Sequence, residues 1–233
     1  MKKSILLLPL LMLSSLLSAC STPTSVPAVP AAAAATSKAP APSAAAGGAT
    51  CTYQAAGEAA KKVALPPTSG ISKTGTATVI MKLNDKALTL TLDRENTPCT
   101  TNSFVSLASQ GYFDGTSCHR LADSGMFLLQ CGDPTATGSG GPGYQFADEL
   151  TGGEIYPAGT LAMANAGAGT NGSQFFIVFG DTQLPPNYTT FGSIDAAGLK
   201  VVNAIAAGGQ DGSWGDGTGK PKLPAVITSA TVS

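Results

Sequence analysis

Residues 163–179 decide the reading: Met163-Ala164-Asn165-Ala166-Gly167, two small residues, then Thr170-Asn171-Gly172-Ser173-Gln174-Phe175-Phe176-Ile177-Val178-Phe179. Two apolar runs, Gly159–Met163 and Phe175–Phe179, flank a stretch of glycine, asparagine and threonine without periodicity. That pattern is strand, loop, strand. Alternation along a strand sends Phe175 and Phe176 to opposite faces. Phe175 then fills a core, while Phe176 is free to line a groove on the outer surface.

The flanking sequence extends the same pattern. Thr76–Leu83 reads as a strand, Asn84-Asp85-Lys86 as a turn, and Leu88, Leu90 and Leu92 alternate with Thr89 and Thr91 as a half-buried strand. Thr97-Pro98 is a helix entry, with a capping hydroxyl and a proline in the first turn. Phe104, Leu107 and Ala108 keep helical spacing until Gly111. Ser117–Leu121 and Met126–Cys131 are short strands joined through Asp123-Ser124-Gly125. Phe191–Ile194 is a strand, Asp195–Ala206 a second helix with Leu199, Val202 and Ile205 on one face, and Ala225–Val232 a last strand. Many short strands with two helices point to an antiparallel barrel or sandwich.

Composition agrees. Of 233 residues, 43% are hydrophobic and only 12% charged, with 28 glycines and 16 prolines, which fits a loop-rich β domain. The formal net charge is −1 and no basic block exists. Nucleic-acid binding therefore has no electrostatic footprint.

The N-terminus has a separate logic. Lys2 and Lys3 precede an apolar run from Ile5 to Leu17, too short to span a bilayer and fitting a signal-peptide core. Leu17-Ser18-Ala19-Cys20 resembles the bacterial lipobox, and the resemblance implies removal of residues 1–19 and lipidation of Cys20. Two or more acyl chains make a stable membrane anchor. Residues 20–66 are then expected to be an alanine- and proline-rich tether with a mean reach of about 40 Å, and residues 67–233 the folded domain. Within the tether, Glu58–Val63 has the makings of a helical turn. Cys51, Cys99, Cys118 and Cys131 remain, an even number that suggests two disulfides in an exported protein, with three pairings open. Zinc fits poorly: His119 is the only histidine and no C-x-x-C pair exists.

A second segment carries chemistry. His119-Arg120-Leu121 is followed, ten residues after Arg120, by Gln130-Cys131-Gly132-Asp133. Together with residues 163–177 and Phe191-Gly192, it resembles the cyclophilin family of peptidyl-prolyl cis–trans isomerases, from about Thr76 to Val232. The resemblance implies a mainly β fold, a closed eight-stranded antiparallel barrel capped by two α-helices. It implies that Arg120 is catalytic and that Gln130 shares its hydrogen-bond network. Phe127, Leu128 and Phe176 match the walls of a proline pocket. Ala164, Asn165 and Ala166 match the segment that binds the substrate backbone, and Gln174 matches a second glutamine on the groove floor. Proline-containing polypeptides are the implied partners. No cofactor or metal is required, a monomer is expected, and the place of action is the exported, membrane-anchored side.

Elementary chemistry supports those roles. An X–Pro bond turns over a barrier of about 18–20 kcal/mol because amide conjugation must break. In the twisted state the proline nitrogen regains a lone pair and accepts hydrogen bonds. A fixed guanidinium N–H aimed there binds the twisted form better than either planar form. Lowering the barrier by about 7 kcal/mol gives ~10⁵-fold acceleration. With no proton transfer, the rate is expected to be flat between about pH 6 and 8.

Departures from the family pattern are local. The Arg120–Gln130 interval is two residues longer than usual, and the extra residues are expected to bulge outwards. Leu184-Pro185 stands where many members have tryptophan then leucine, and Tyr188 falls where many have histidine, so cyclosporin binding is in doubt. These changes also motivate a second reading, a catalytically weak proline-peptide-binding surface module. A solute-binding lipoprotein fails on size and on the lack of two α/β lobes. His119 is expected to be a hydrogen-bonded core residue facing away from Arg120. Gly138-x-Gly140-x-x-Gly143 opens no helix and reads as a loop beside the groove.

Overall fold

The computed structural model describes residues 47–233. Along them run β1 (Gln54–Ala55), β2 (Thr76–Leu83), β3 (Lys86–Asp93), α1 (Pro98–Ser109), β4 (Thr116–Ser117), β5 (Arg120–Ser124) and β6 (Met126–Cys131). β7 (Tyr144–Gln145), β8 (Thr160–Met163), β9 (Phe175–Val178), β10 (Thr190–Ile194), α2 (Ala196–Ala206) and β11 (Val226–Val232) follow. The signal-peptide, Cys20 and early tether readings lie outside the described residues.

Nine strands form one antiparallel sheet in the order β4-β11-β2-β3-β10-β8-β9-β6-β5, while β1 pairs only with β7. The fold is mainly β with two helices, as expected. The closed eight-stranded barrel is not: the sheet is curled but open, and its edge strands β4 and β5 do not pair with each other. The reason lies in residues 116–124, where one strand was expected and two occur. The Cys118 N–H donates to Ala225 O on the β11 side, and the His119 N–H donates to Gln130 O on the β6 side. The chain changes partner between these two residues, so one extended segment supplies both edges.

The β2–β3 ladder keeps full register from Thr76↔Asp93 to Leu83↔Lys86. Asn84 and Asp85 make its turn at φ 48° and 61°, a left-handed geometry these residues tolerate. Leu88, Leu90 and Leu92 are fully buried with Val79, Met81 and Leu83. Phe104 and Leu107 of α1 enter the same core, and Phe104 lies against Phe113, Phe175 and Phe191 at 4.8, 5.2 and 5.3 Å between centroids.

The helix starts differ from one another. α2 is capped as its sequence predicts, the Asp195 carboxylate accepting from Gly198 N. In α1 the Thr97 hydroxyl donates instead to Asp93 O at 2.8 Å. The free N–H groups of its first turn are taken by Glu149, which accepts from Cys99 N at 2.9 Å and Thr100 N at 2.8 Å.

Of the three possible pairings, the disulfides are Cys51–Cys99 and Cys118–Cys131. The first draws the end of the expected tether into the domain. Cys51 and Tyr53 are buried, Ala49 bridges to Ile71, and the Tyr53 hydroxyl donates to Cys99 O at 2.8 Å. The boundary expected after residue 66 therefore falls before Ala49. Glu58–Val63 makes no helical turn. Ala56 N and Ala60 N donate to Gly143 O and Gly141 O instead, which removes the donors a local turn would use.

Candidate active site

Strand register assembles the site. Arg120 pairs with Gln130, Gln130 with Phe176, and Phe176 with Ala162, a row across β5, β6, β9 and β8. Residues two apart share a face, so Ala122, Leu128 and Val178 join that row. With Tyr156 they form a small apolar cluster distinct from the main core, with Met126, Ala164, Leu184 and Tyr188 packed at its edge. The odd-numbered neighbours Leu121, Leu129, Phe175 and Ile177 belong to the main core. Phe175 and Phe176 thus divide as alternation requires.

Arg120 stands at the end of this row with its side chain 24% exposed. Nε donates to Thr218 Oγ1 at 2.8 Å, Nη2 to Asp216 Oδ2 at 2.6 Å, and Nη1 to Gln130 Oε1 at a long 3.4 Å. The guanidinium also lies 5.8 Å from the Trp214 ring centroid, within cation–π range. Gln130 passes the network on, Nε2 donating to Gln174 Oε1 at 2.9 Å. Gln174 in turn donates to Gly138 O and Gly140 O at 2.9 and 3.0 Å. The Asp216 carboxyl is held below its usual range, first by the Thr218 hydroxyl and also by the Arg120 charge.

The two extra residues between Arg120 and Gln130 do not bulge. Asp123 pairs with Phe127 and Ser124 with Met126, about Gly125 at φ 74°. One residue added to each strand lengthens the hairpin without changing which residues face the groove.

Asp133 fixes the neighbouring loop. Its buried carboxylate accepts from Thr135 N and Oγ1, Thr137 N, Gly138 N and Gly140 N at 2.7, 2.7, 3.1, 2.7 and 3.0 Å. Burial alone would raise this carboxyl, but the bonds from Thr135, Gly140 and Gly138 outweigh it and hold the group low. The Gly138–Gly143 stretch is accordingly a loop. Gly138 is at φ 82° and a Cβ there would overlap the Trp214 ring. Only glycine lets the indole close over Arg120 from this side.

The remaining expected residues divide. Tyr188 meets Phe176 edge-on at 5.6 Å, and Leu184 packs on the same cluster. Asn165 Nδ2 donates to Asn187 O at 2.9 Å, and Ala166 N to Thr170 Oγ1 at 2.8 Å, so the 164–166 segment is tied beside that wall. Phe127 is not gathered in. It lies against Phe179 at 5.9 Å on the other side of the strand, because neighbours on a strand cannot both face one groove. His119 is buried as expected but is not hydrogen-bonded through its ring: neither nitrogen has a partner among the described residues, and burial lowers its pKa.

Sequence reasoning missed four residues. Tyr156 holds the altered 184–188 segment, its hydroxyl lying 3.2 Å from Pro185 O and from Tyr188 O and N. Trp214, Asp216 and Thr218 come from a glycine-rich stretch that reads only as turn. The lone tryptophan was the one available signal.

Comparison with known proteins places this geometry. Residues 78–232 match the family described as cyclophilin type peptidyl-prolyl cis-trans isomerase/CLD. The chain is 48% identical over 197 residues to "Probable peptidyl-prolyl cis-trans isomerase B" of Mycobacterium tuberculosis, covering 78% of this chain and 63% of that protein. The Mycobacterium leprae counterpart is 46% identical, over 73% of this chain and 63% of its own. The chain thus spans less than two thirds of the length of these relatives. "Peptidyl-prolyl cis-trans isomerase A" of M. tuberculosis is 40% identical, over 70% of this chain and 95% of its own length. A cyclophilin type isomerase of Cryptosporidium parvum superposes with a TM-score of 0.60 at 31% identity, covering 68% of this chain and 98% of that one. The same protein, solved in the presence of the dipeptide Ala-Pro, superposes with a TM-score of 0.59. Matched sequence, shared fold and the Arg120–Gln130–Phe176 row agree: this chain belongs to the cyclophilin type peptidyl-prolyl cis-trans isomerase family.

Proposed function

We propose that this chain is an active peptidyl-prolyl cis–trans isomerase that assists the folding of exported proteins, held on a membrane through lipid at Cys20. The observation that carries the enzymatic reading is the row in which a restrained guanidinium borders the Phe176 cluster. Substrate proline rests against Leu128 and Phe176, with Leu184 and Tyr188 as the far wall. The 164–166 segment holds the flanking backbone.

A guanidinium has five N–H bonds. Thr218, Asp216 and Gln130 take three of them. Two remain, enough to meet the imide nitrogen as it becomes an acceptor in the twisted state. Because that acceptor exists only at the twist, the contact lowers the barrier without tightening ground-state binding. The apolar wall favours the less polar twisted amide in the same sense. The Ala-Pro dipeptide used with the C. parvum protein supports a proline-containing ligand here.

The test is isomerisation of a short proline peptide by the full chain, followed by exchange NMR. Acceleration above buffer is expected, and a rate equal to buffer rejects the reading. One observation favours the second reading, a binding module of weak turnover: Asp216 already engages Nη2 of Arg120. Peptide binding without exchange enhancement would support it. For the anchor, Cys20→Ser should release the protein from the membrane fraction when the chain is expressed in a bacterium.

A further inference from the structure

We propose that a cavity beside the proline groove, walled by the N-terminal segment, is a second binding pocket that takes a basic side chain flanking the substrate proline. The proposal rests on the isomerase reading and names part of its substrate class. The cavity is about 500 Å³ and opens between Ala56–Glu58 on one side and Gly138–Pro142 on the other. That is the size of a small-ligand site. Gln174 and Asn165 also line it. Gln174 is hydrogen-bonded to Gln130, the partner of Arg120, so a polypeptide seated over Phe176 runs directly past the cavity mouth.

The N-terminal wall is built rather than draped. Cys51–Cys99 fastens its start, and Ala56 N and Ala60 N donate to Gly143 O and Gly141 O at 3.0 and 2.9 Å. Gly143 sits so close that a Cβ there would lie 3.1 Å from Ala59 Cβ. The Lys61 ammonium donates to Gly111 O and Asp114 O, which commits it to backbone carbonyls. This segment precedes residues 78–232, so the wall lies outside the family-matched region.

Charge decides what the cavity selects. Among its lining residues Glu58 alone is ionised at neutral pH; the rest are glycine, alanine, proline, serine, threonine, amide or tyrosine side chains. A carboxylate at a polar cavity rim favours lysine or arginine and disfavours glutamate or aspartate. Exposure limits the effect to a few-fold.

The experiment measures kcat/KM of the full chain on proline pentapeptides in which lysine, then glutamate, is moved through each non-proline position. Wild type is compared with Glu58→Gln and Glu58→Lys, each read as its own lysine-to-glutamate ratio. At one position the wild-type ratio should be about two- to fivefold at low salt. It should fall towards unity in about 1 M NaCl, where the screening length is ~3 Å. It should approach unity in Glu58→Gln and invert in Glu58→Lys. A ratio near one at every position, or one unchanged in Glu58→Gln, overturns the pocket while leaving the isomerase intact. If no peptide turns over, the isomerase reading fails, and the same ratio of peptide affinities, measured by titration, decides the pocket independently.

Discussion

Arg120 Nη2 and Asp216 Oδ2 meet at 2.6 Å across 96 positions of sequence. Asp216 is half exposed, so the pair adds little to folding stability. Its effect is geometric: with Thr218 on Nε and the Trp214 ring beside the guanidinium, it restrains a side chain that would otherwise sample many rotamers. Restraint matters here because the twisted imide offers its lone pair in one direction only.

Arg120→Ala should lower kcat/KM about a hundredfold or more, with KM little changed, since the lost contact belongs to the transition state. Arg120→Lys should recover little, because a point ammonium cannot hold the Thr218, Asp216 and Gln130 contacts and also reach the imide. Exchange NMR across peptide concentrations separates kcat from KM. The wild-type rate should be flat between about pH 6 and 8, the guanidinium staying charged throughout.

Asp216→Ala tests positioning. Turnover should fall about three- to tenfold with KM unchanged, as expected when a catalytic group is loosened rather than removed. The Arg120→Ala/Asp216→Ala double variant should be no slower than Arg120→Ala alone, because Asp216 acts only through the arginine.

Trp214 is the only tryptophan in the chain and lies within 5.8 Å of the Arg120 guanidinium. Saturation with a proline peptide should therefore change its emission intensity or wavelength. In Phe176→Ala the change should need a higher peptide concentration, since the apolar wall is lost. Fluorescence titration measures both.

The disulfides should contribute unequally. In the chain-entropy picture, replacing Cys51 and Cys99 by serine, a bridge spanning 48 positions, should cost about 4 kcal/mol. Replacing Cys118 and Cys131, spanning 13, should cost about 3 kcal/mol. The second pair closes the hairpin that carries Arg120 and Gln130, so its loss should also slow turnover. Denaturant midpoints and exchange rates of the two double variants check this.

Acid should destabilise the fold in two stages. The folded pKa of His119 is lowered by burial, so its contribution is full above the ordinary histidine value of about 6.5 and is lost as pH falls through the folded value. Asp133 is also held low, its contribution being full above about pH 3.9 and lost as pH falls further. Each proton adds a slope of at most about 1.4 kcal/mol per pH unit. Denaturation midpoints should decline first below about pH 6.5 and again below about pH 4. His119→Asn should remove the first decline and keep the second.

The sequence carried most of the site because the site is written on strands. Arg120 and Gln130, and Phe175 beside Phe176, follow from a period of two, which survives any curling of the sheet. The same rule exposed Phe127 as misplaced, since Leu128 already faces the groove. Thr97 shows a different limit. Its hydroxyl and the following proline predict a capped helix, yet Glu149 does the capping from fifty residues away.

What the chain determined alone was local: strand faces, both helices, the hairpin that keeps its register through two added residues, and the export signal read from residues 1–20. What tertiary structure decided was partnership. It split residues 116–124 between two ladders, chose Cys99 for Cys51, folded residues 49–66 onto the domain, and brought Trp214, Asp216 and Thr218 to Arg120. The physical reason is range: backbone periodicity and side-chain propensity act over a few residues, whereas hydrogen bonds, disulfides and ion pairs join whatever the folded chain places within reach.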